Sequence, residues 1–252
     1  MEWRDEGLII GVRRHGEGSA IVEAMTRAYG RHLGLVRGGR SARLRATLQP
    51  GNTVGLVWRA RLDEHLGAYA VEPLSLRAGR LMASTLALAG INYLAALIRF
   101  LPERDPHEGV YDALSLIADA LDDEALAPAL VVRFEAQMLA ECGFALDLSR
   151  CAATGATDGL AYVSPKSGRA VSAEAAAPWR DRLLPLPAFL REGARLEAEL
   201  SAEDIADGFR LTGFFLARDL FEPSGAPLPD SRAAFLSAAA KARGGRRADT
   251  IN

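Results

Sequence analysis

Between Glu23 and Asp63 the chain has no carboxylate, yet eight arginines fall in that gap: Arg27, Arg31, Arg37, Arg40, Arg43, Arg45, Arg59 and Arg61. A guanidinium presents its donors in a planar fork that matches phosphate oxygens. A basic surface also gains affinity for a polyanion by releasing condensed counterions. Five of these residues, Arg31, Arg37, Arg40, Arg43 and Arg45, lie within 15 positions around Gly38-Gly39. Tyr29, His32 and Trp58 share the stretch, flat rings that either stack on unpaired bases or fill a core. The chemistry suggested is therefore binding to a nucleic-acid backbone. Arg37 to Arg45 are the first candidates for direct contact, and Arg59 and Arg61 extend the field.

Other chemistry finds less support. The sequence has no phosphate-cradling Gly-rich loop ending in Lys-Ser/Thr, no nucleophile elbow and no zinc-protease helix motif. His15, His32, His65 and His107 are scattered, and no nucleophile stands beside a base. The pairs Asp122-Asp123 and Glu203-Asp204 fall near expected helix ends, where carboxylates complement the helix dipole. No catalytic residue is assigned, and the chain is not expected to be an enzyme. The only cysteines are Cys142 and Cys151, too few for a disulfide framework and suited to a reducing compartment. A structural zinc site takes about four ligands, usually as two close pairs. Cys151 is followed at the pairing position by Thr154, so two buried thiols are expected, with no metal and no cofactor.

Charge divides along the chain. Residues 1–80 carry 13 Lys/Arg and 8 Asp/Glu, and residues 81–252 carry 17 and 24, for an overall net charge of -2. The basic part reads as strands: "EGLIIGVRRHG", "SAIVEAMT", "HLGLVRG", "NTVGLVWRARL" and "GAYAVEPL" are β-prone runs separated by Gly, Pro and Tyr-Gly turns. Five strands in a unit of this size suggest a small barrel of the OB type over residues 1–79. The paired glycines open a loop between the third and fourth strands, free to mould itself to a backbone.

Residues 80–252 read as a mainly helical domain. The run Leu81 to Ile98 is 18 residues without a charge, at the lower limit for crossing a bilayer. Its Ser84, Thr85, Gly90 and Asn92 point instead to a buried helix of a bundle. Further helices are expected over "HEGVYDALSLIADALDD" and over "ALAPALVVRFEAQMLAECGF", which would stop at Gly143. Residues 149–178 are Gly-, Ser-, Thr- and Ala-rich and read as an irregular insert. Ser201 and Asp204 have the spacing of a capping box, a short helix follows "EPSGAPLPD", and 241–252 form a basic, flexible tail. The fold class is α+β and multi-domain. The N-terminus shows no secretory signal.

The order of these parts is similar to that of the bacterial RecO family. "DEGLIIGVRRHGEGSAIVEAMTRAYGRHLGLVRGG" resembles the family's first three strands, and "LQPGNTVGLVWRARLDEHLGAYAVE" its fourth and fifth. "VRFEAQMLAECGFALDLSRCAATG" resembles the helix entering the family's zinc region. The resemblance implies a protein of DNA repair and recombination in the RecF pathway, cytoplasmic and nucleoid-associated, without enzymatic turnover. It implies binding to single- and double-stranded DNA, annealing of complementary strands, and action with RecR, and with RecF, in loading RecA onto DNA covered by single-strand-binding protein. It further implies that the helical body takes the acidic, hydrophobic C-terminal tail of single-strand-binding protein. Arg133 is either an anchor for that tail or an ordinary exposed helix arginine. Many members carry Cys-x-x-Cys twice in the insert. Here only Cys151 remains of those four, a degenerate zinc-finger-like segment, so zinc is not carried over. From the residues alone, an OB-type RNA-binding or ribosome-associated module is the alternative.

Overall fold

The computed structural model describes residues 1–249 except 192, 195 and 197–199, and side chains as far as 242. Its first five strands are β1 (Glu2–His15), β2 (Ser19–Thr26), β3 (Gly30–Val36), β4 (Thr53–Arg59) and β5 (Ala68–Ser75). Along β2, β3 and β4 buried and partly exposed residues alternate, the period of two that puts successive side chains on opposite faces. Ile9, Val22, Ala24, Val36, Val54, Leu56, Trp58 and Tyr69 meet inside. The strands close into a barrel in the order β1-β2-β3-β5-β4. Closure relies on the length of β1. Its residues Glu2 to Leu8 pair with β4, Gly7 to His15 pair with β2, and the register shifts between Ile9 and Gly11. A bulge of this kind bends a strand enough to serve two neighbours. The circuit is completed by a parallel contact of β3 with β5 at Leu35 and Ala68.

At the β2–β3 turn Gly30 has φ +63°, and a Cβ there would lie 1.9 Å from the Asp105 carbonyl oxygen. Only glycine permits both the left-handed backbone and this approach.

After β3 the chain is not the open, mouldable loop expected from the glycines. Ser41 caps a short helix, α1 (Ala42–Arg45), accepting a hydrogen bond from the Leu44 backbone N–H. Asn52, fully buried, donates to the carbonyls of Ala46 and Thr47 at 2.9 Å and accepts from the Ala78 N–H at 2.8 Å. Leu44 packs against the barrel core, and Gly39 sits so close to β2 that a Cβ would lie 2.9 Å from that of Ala20. The segment is pinned at both ends.

The apolar run from Leu81 is two helices. α2 (Ala78–Ala83) ends at Ser84, whose extended backbone and side chain cap α3 (Thr85–Ile98). Among the described residues no helix is long and apolar enough to cross a membrane. With α4 (Glu108–Ala120), these helices belong to the same compact unit as the barrel, Met1–Asp122. Change of texture and change of unit thus fall at different places, near residue 80 and at residues 122–123.

The second unit spans Asp123–Asn252. α5 (Ala127–Glu141), buried on most sides and followed by Gly143 at φ +89°, packs against α7 (Ala202–Leu216). The capping box on α7 forms as the Ser201/Asp204 spacing predicts. The insert is more ordered than its composition suggested. β6 (Leu160–Val163), β7 (Ala170–Ser172) and β8 (Leu184–Pro185) make a sheet in the order β7-β6-β8, with α6 (Ala173–Ala176) following β7. Residues 241–249, expected as a tail, continue the last helix, α8 (Asp230–Asp249), through Gly244-Gly245. Residues 250–252 lie outside the described residues.

Candidate nucleic-acid interface

The fold separates seven of the eight arginines into two groups. Arg27 pairs with Asp112 and, at 3.8 Å, with Glu6, and its guanidinium lies 5.5 Å over the Tyr111 ring. Arg31 is largely buried between Glu23 at 3.0 Å and Glu103 at 3.4 Å, and donates to the Leu101 carbonyl. Arg59 holds Glu2 at 2.8 Å. These three charges are already met by carboxylates of their own unit, and a paired guanidinium adds little to an external field.

Arg37, Arg40, Arg43 and Arg45 behave differently. All four are exposed, and none makes an ion pair among the described residues. Arg43 and Arg45 project from α1, the helix whose Leu44 is anchored inward. Arg40 donates to the Glu17 carbonyl at 2.6 Å, and its backbone N–H to that of Gly18, so the segment is tied to the β1–β2 hairpin. That hairpin contributes two residues missed in the sequence reading. Arg13 and Arg14 on β1 are exposed, with no ion pair among the described residues. Their nearness in sequence to Glu17 and Glu23 concealed them, but Glu23 is occupied by Arg31 and by Arg99 at 2.8 Å. The segment and the hairpin it is tied to thus carry six arginines with no ion pair among the described residues. Arg61 is exposed in the β4–β5 loop beside Asp63 and Glu64, outside this group.

On the barrel wall a groove of about 390 Å³ is lined by Arg13, Arg31, Arg99, Glu23 and Glu103 with apolar residues of β1, β2 and β3. Arg31 and Arg99 both hold Glu23, so most of its charge is internally balanced.

The flat side chains do not form a base-stacking surface. Trp58 is fully buried, donating from Nε1 to the Leu66 carbonyl at 3.0 Å, and His32 is 2% exposed. Trp3 lies over Tyr29 with centroids 4.3 Å apart and 5.7 Å from Trp58. This aromatic cluster is barrel core, with Tyr29 at its rim. His32 Nδ1 is 2.9 Å from both the Leu33 carbonyl and the Tyr69 hydroxyl. Burial, reinforced by the positive charge of Arg104, lowers its pKa to about 4. Above pH 6.5 the ring is neutral whether the chain is folded or not. Between 6.5 and about 4 the unfolded chain takes up a proton that the folded one refuses, so stability falls as pH falls. The slope reaches up to about 1.4 kcal/mol per pH unit, before solvent screening reduces it. Urea midpoints at pH 7.5 and 5 should therefore converge more closely in His32→Gln than in the parent chain. An identical acid loss in both would remove His32 as the cause.

Arg133, on α5, is half-buried. Its Nε and Nη2 donate to the Phe189 carbonyl at 3.0 and 2.8 Å, and Nη2 also donates to the Ala194 carbonyl. Burial lowers its pKa from the ordinary value. It is thus not a freely exposed helix arginine, and no carboxylate pairs with it among the described residues. Cys151 is buried and accepts a hydrogen bond from the Ser172 N–H at 3.3 Å. Among the described residues no three His, Cys, Asp or Glu are placed to hold a metal ion.

With this geometry in view, comparison with known proteins gives a consistent result. Residues 1–77 match the family described as recombination protein O N terminal, and residues 82–226 match recombination protein O C terminal. A protein of Methylocella silvestris named DNA repair protein RecO is 62% identical over 237 residues, covering 94% of this chain and 95% of that one. Proteins of the same name from Mesorhizobium japonicum and Beijerinckia indica are 58% and 59% identical, covering 98% and 96% of this chain and 97% and 96% of theirs. The barrel carrying the unpaired arginines and the helical part that follows it both fall within matched regions, and the chain belongs to the RecO family.

Proposed function

We propose that this protein is a non-enzymatic, DNA-binding recombination mediator of DNA repair. In this reading it binds single- and double-stranded DNA and anneals complementary strands. With RecR and RecF it helps load RecA onto DNA coated by single-strand-binding protein, in the cytoplasm at the nucleoid. The observation that carries the DNA-binding part is the group of exposed, carboxylate-free arginines on a pinned segment. A rigid array loses less conformational freedom on binding than a mobile loop would, and guanidinium groups suit phosphate oxygens. Arg37, Arg40, Arg43 and Arg45 are the proposed contacts, with Arg13 and Arg14 beside them. Arg27, Arg31 and Arg59 are demoted by their internal pairs, and Arg61, exposed on the β4–β5 loop, extends the field.

For the acidic C-terminal tail of single-strand-binding protein, Arg133 remains the proposed anchor. Support comes from its positive charge, which no carboxylate neutralises among the described residues, on a largely apolar helix.

Annealing provides the test. Complementary strands coated with single-strand-binding protein should pair several-fold faster when the chain is added, with RecR present or absent as separate arms. An annealing rate unchanged by the protein in both arms would defeat the mediator reading. Preferential binding of matched RNA over DNA would favour an RNA-binding module instead.

A further inference from the structure

The second unit repeats the charge imbalance on a smaller scale. Residues 149–191 hold six Lys/Arg against three Asp/Glu, whereas the rest of residues 123–252 hold nine against fifteen. Within that basic stretch stands Trp179, 57% exposed, more than any other Phe, Tyr or Trp among the described residues. Arg182 lies 5.8 Å over its ring, and Arg180 lies 5.9 Å over the ring of Tyr162. Both arginines are exposed, and neither makes an ion pair among the described residues. Asp181, between them, is the one acid of the turn.

The turn is firmly held. Residues Ala177–Arg182 form a 3-10 helix, closed by the Leu183 N–H donating to the Arg180 carbonyl at 3.2 Å. Before it, Ser172 caps α6 and Ala176 is fully buried. After it, Leu184 and Pro185 pair with Val163 and Tyr162 of β6. An indole fixed in water, with cations beside it, is a stacking platform for an unpaired base whose phosphates the guanidinium groups can meet. Duplex DNA does not offer the same fit, because its base faces are already covered by their neighbours.

We infer that Trp179, Arg180 and Arg182 form a second contact for single-stranded nucleic acid, in which an unpaired base stacks on Trp179. The inference rests on the DNA-binding reading and adds a strand preference to it.

Full-length variants decide the matter, with labelled oligothymidine and a duplex of equal length as ligands. Trp179→Ala should weaken oligothymidine binding by about five- to a hundredfold and leave duplex binding unchanged, while Trp179→Phe keeps most of the affinity. Arg180→Ala with Arg182→Ala should reduce the single-strand salt slope by about 1.4. Photo-cross-linking of an iodouracil-substituted oligonucleotide should label the peptide that contains Trp179. Since Trp179 is exposed, these variants are expected to fold, and unfolding midpoints equal to the parent's check that. If Trp179→Ala binds oligothymidine like the parent, or loses affinity equally for duplex, the inference is overturned while DNA binding by the barrel stands. If the parent itself binds no oligothymidine, the DNA-binding reading has failed first.

Discussion

Arg232→Met is expected to destabilise the second unit by about 3–5 kcal/mol, the usual result of stranding one member of a buried ion pair. Glu135 is fully buried, and Arg232, 8% exposed, meets it through Nε at 2.8 Å and Nη2 at 3.3 Å. The same Nη2 donates to the Phe209 carbonyl at 2.7 Å, and the guanidinium lies 5.5 Å over the Phe209 ring. Thr212 Oγ1 reaches Glu135 from α7 and is 2.9 Å from the Gly208 carbonyl. The network therefore ties α5, α7 and α8 through one carboxylate. Removing the guanidinium takes from the buried Glu135 carboxylate the cation that offsets its desolvation. The double variant Glu135→Leu/Arg232→Met should recover most of the loss, because an apolar pair of similar volume has no charge to desolvate. Urea denaturation of the three proteins measures the coupling. A single variant within about 0.5 kcal/mol of the parent would show that the pair is not the anchor described.

Much of the barrel was legible because its signals are local. β-prone runs such as "SAIVEAMT", and turn residues such as Tyr29-Gly30 and Pro50-Gly51, mark strands without knowledge of their partners. The same holds for Ser201 and Asp204, where a three-residue spacing is the whole motif. Less was legible where one residue overrides its neighbours. Ser84 splits an apolar run that reads as a single helix. Ser41 starts a helical turn immediately after two glycines that announce a loop. The three-stranded sheet of the insert escaped notice because its strands are two to four residues long, too short to show a period.

The candidate interface was legible in composition but not in detail, for a reason of distance. Which arginines are free depends on carboxylates outside the acid-free window: Glu2 for Arg59, Asp112 for Arg27, Glu103 for Arg31. Those partners are 57, 85 and 72 residues away, beyond any local pattern, although Arg31 also meets Glu23, 8 residues before it. Arg13 and Arg14 were overlooked for the converse reason, since Glu23, close in sequence, proved to be engaged by Arg31 and Arg99. The roles of Trp58 and His32 were likewise settled by burial.

If the exposed arginines meet phosphates, replacing Arg37, Arg40, Arg43 and Arg45 together by Ala removes four cations without disturbing the core, because none of the four is buried. Ser41, Leu44 and Asn52, which hold the segment, stay in place. Each phosphate contact contributes about 0.9 to the dependence of log affinity on log salt for duplex DNA, and about 0.7 for a single strand. The variant should therefore bind about a hundredfold or more weakly at low salt, with the difference shrinking as salt rises. Arg59→Ala, which removes a guanidinium already paired with Glu2, should change the slope by well under 1. The central claim is that unpaired arginines, rather than all arginines of the window, grip the backbone. A fluorescence titration of duplex DNA at several salt concentrations tests it directly. The slope is predicted to become shallower by about 3–4 in the fourfold variant and to stay near the parent value in Arg59→Ala. A fourfold variant with the parent's slope, or an equal effect of Arg59→Ala, would contradict it.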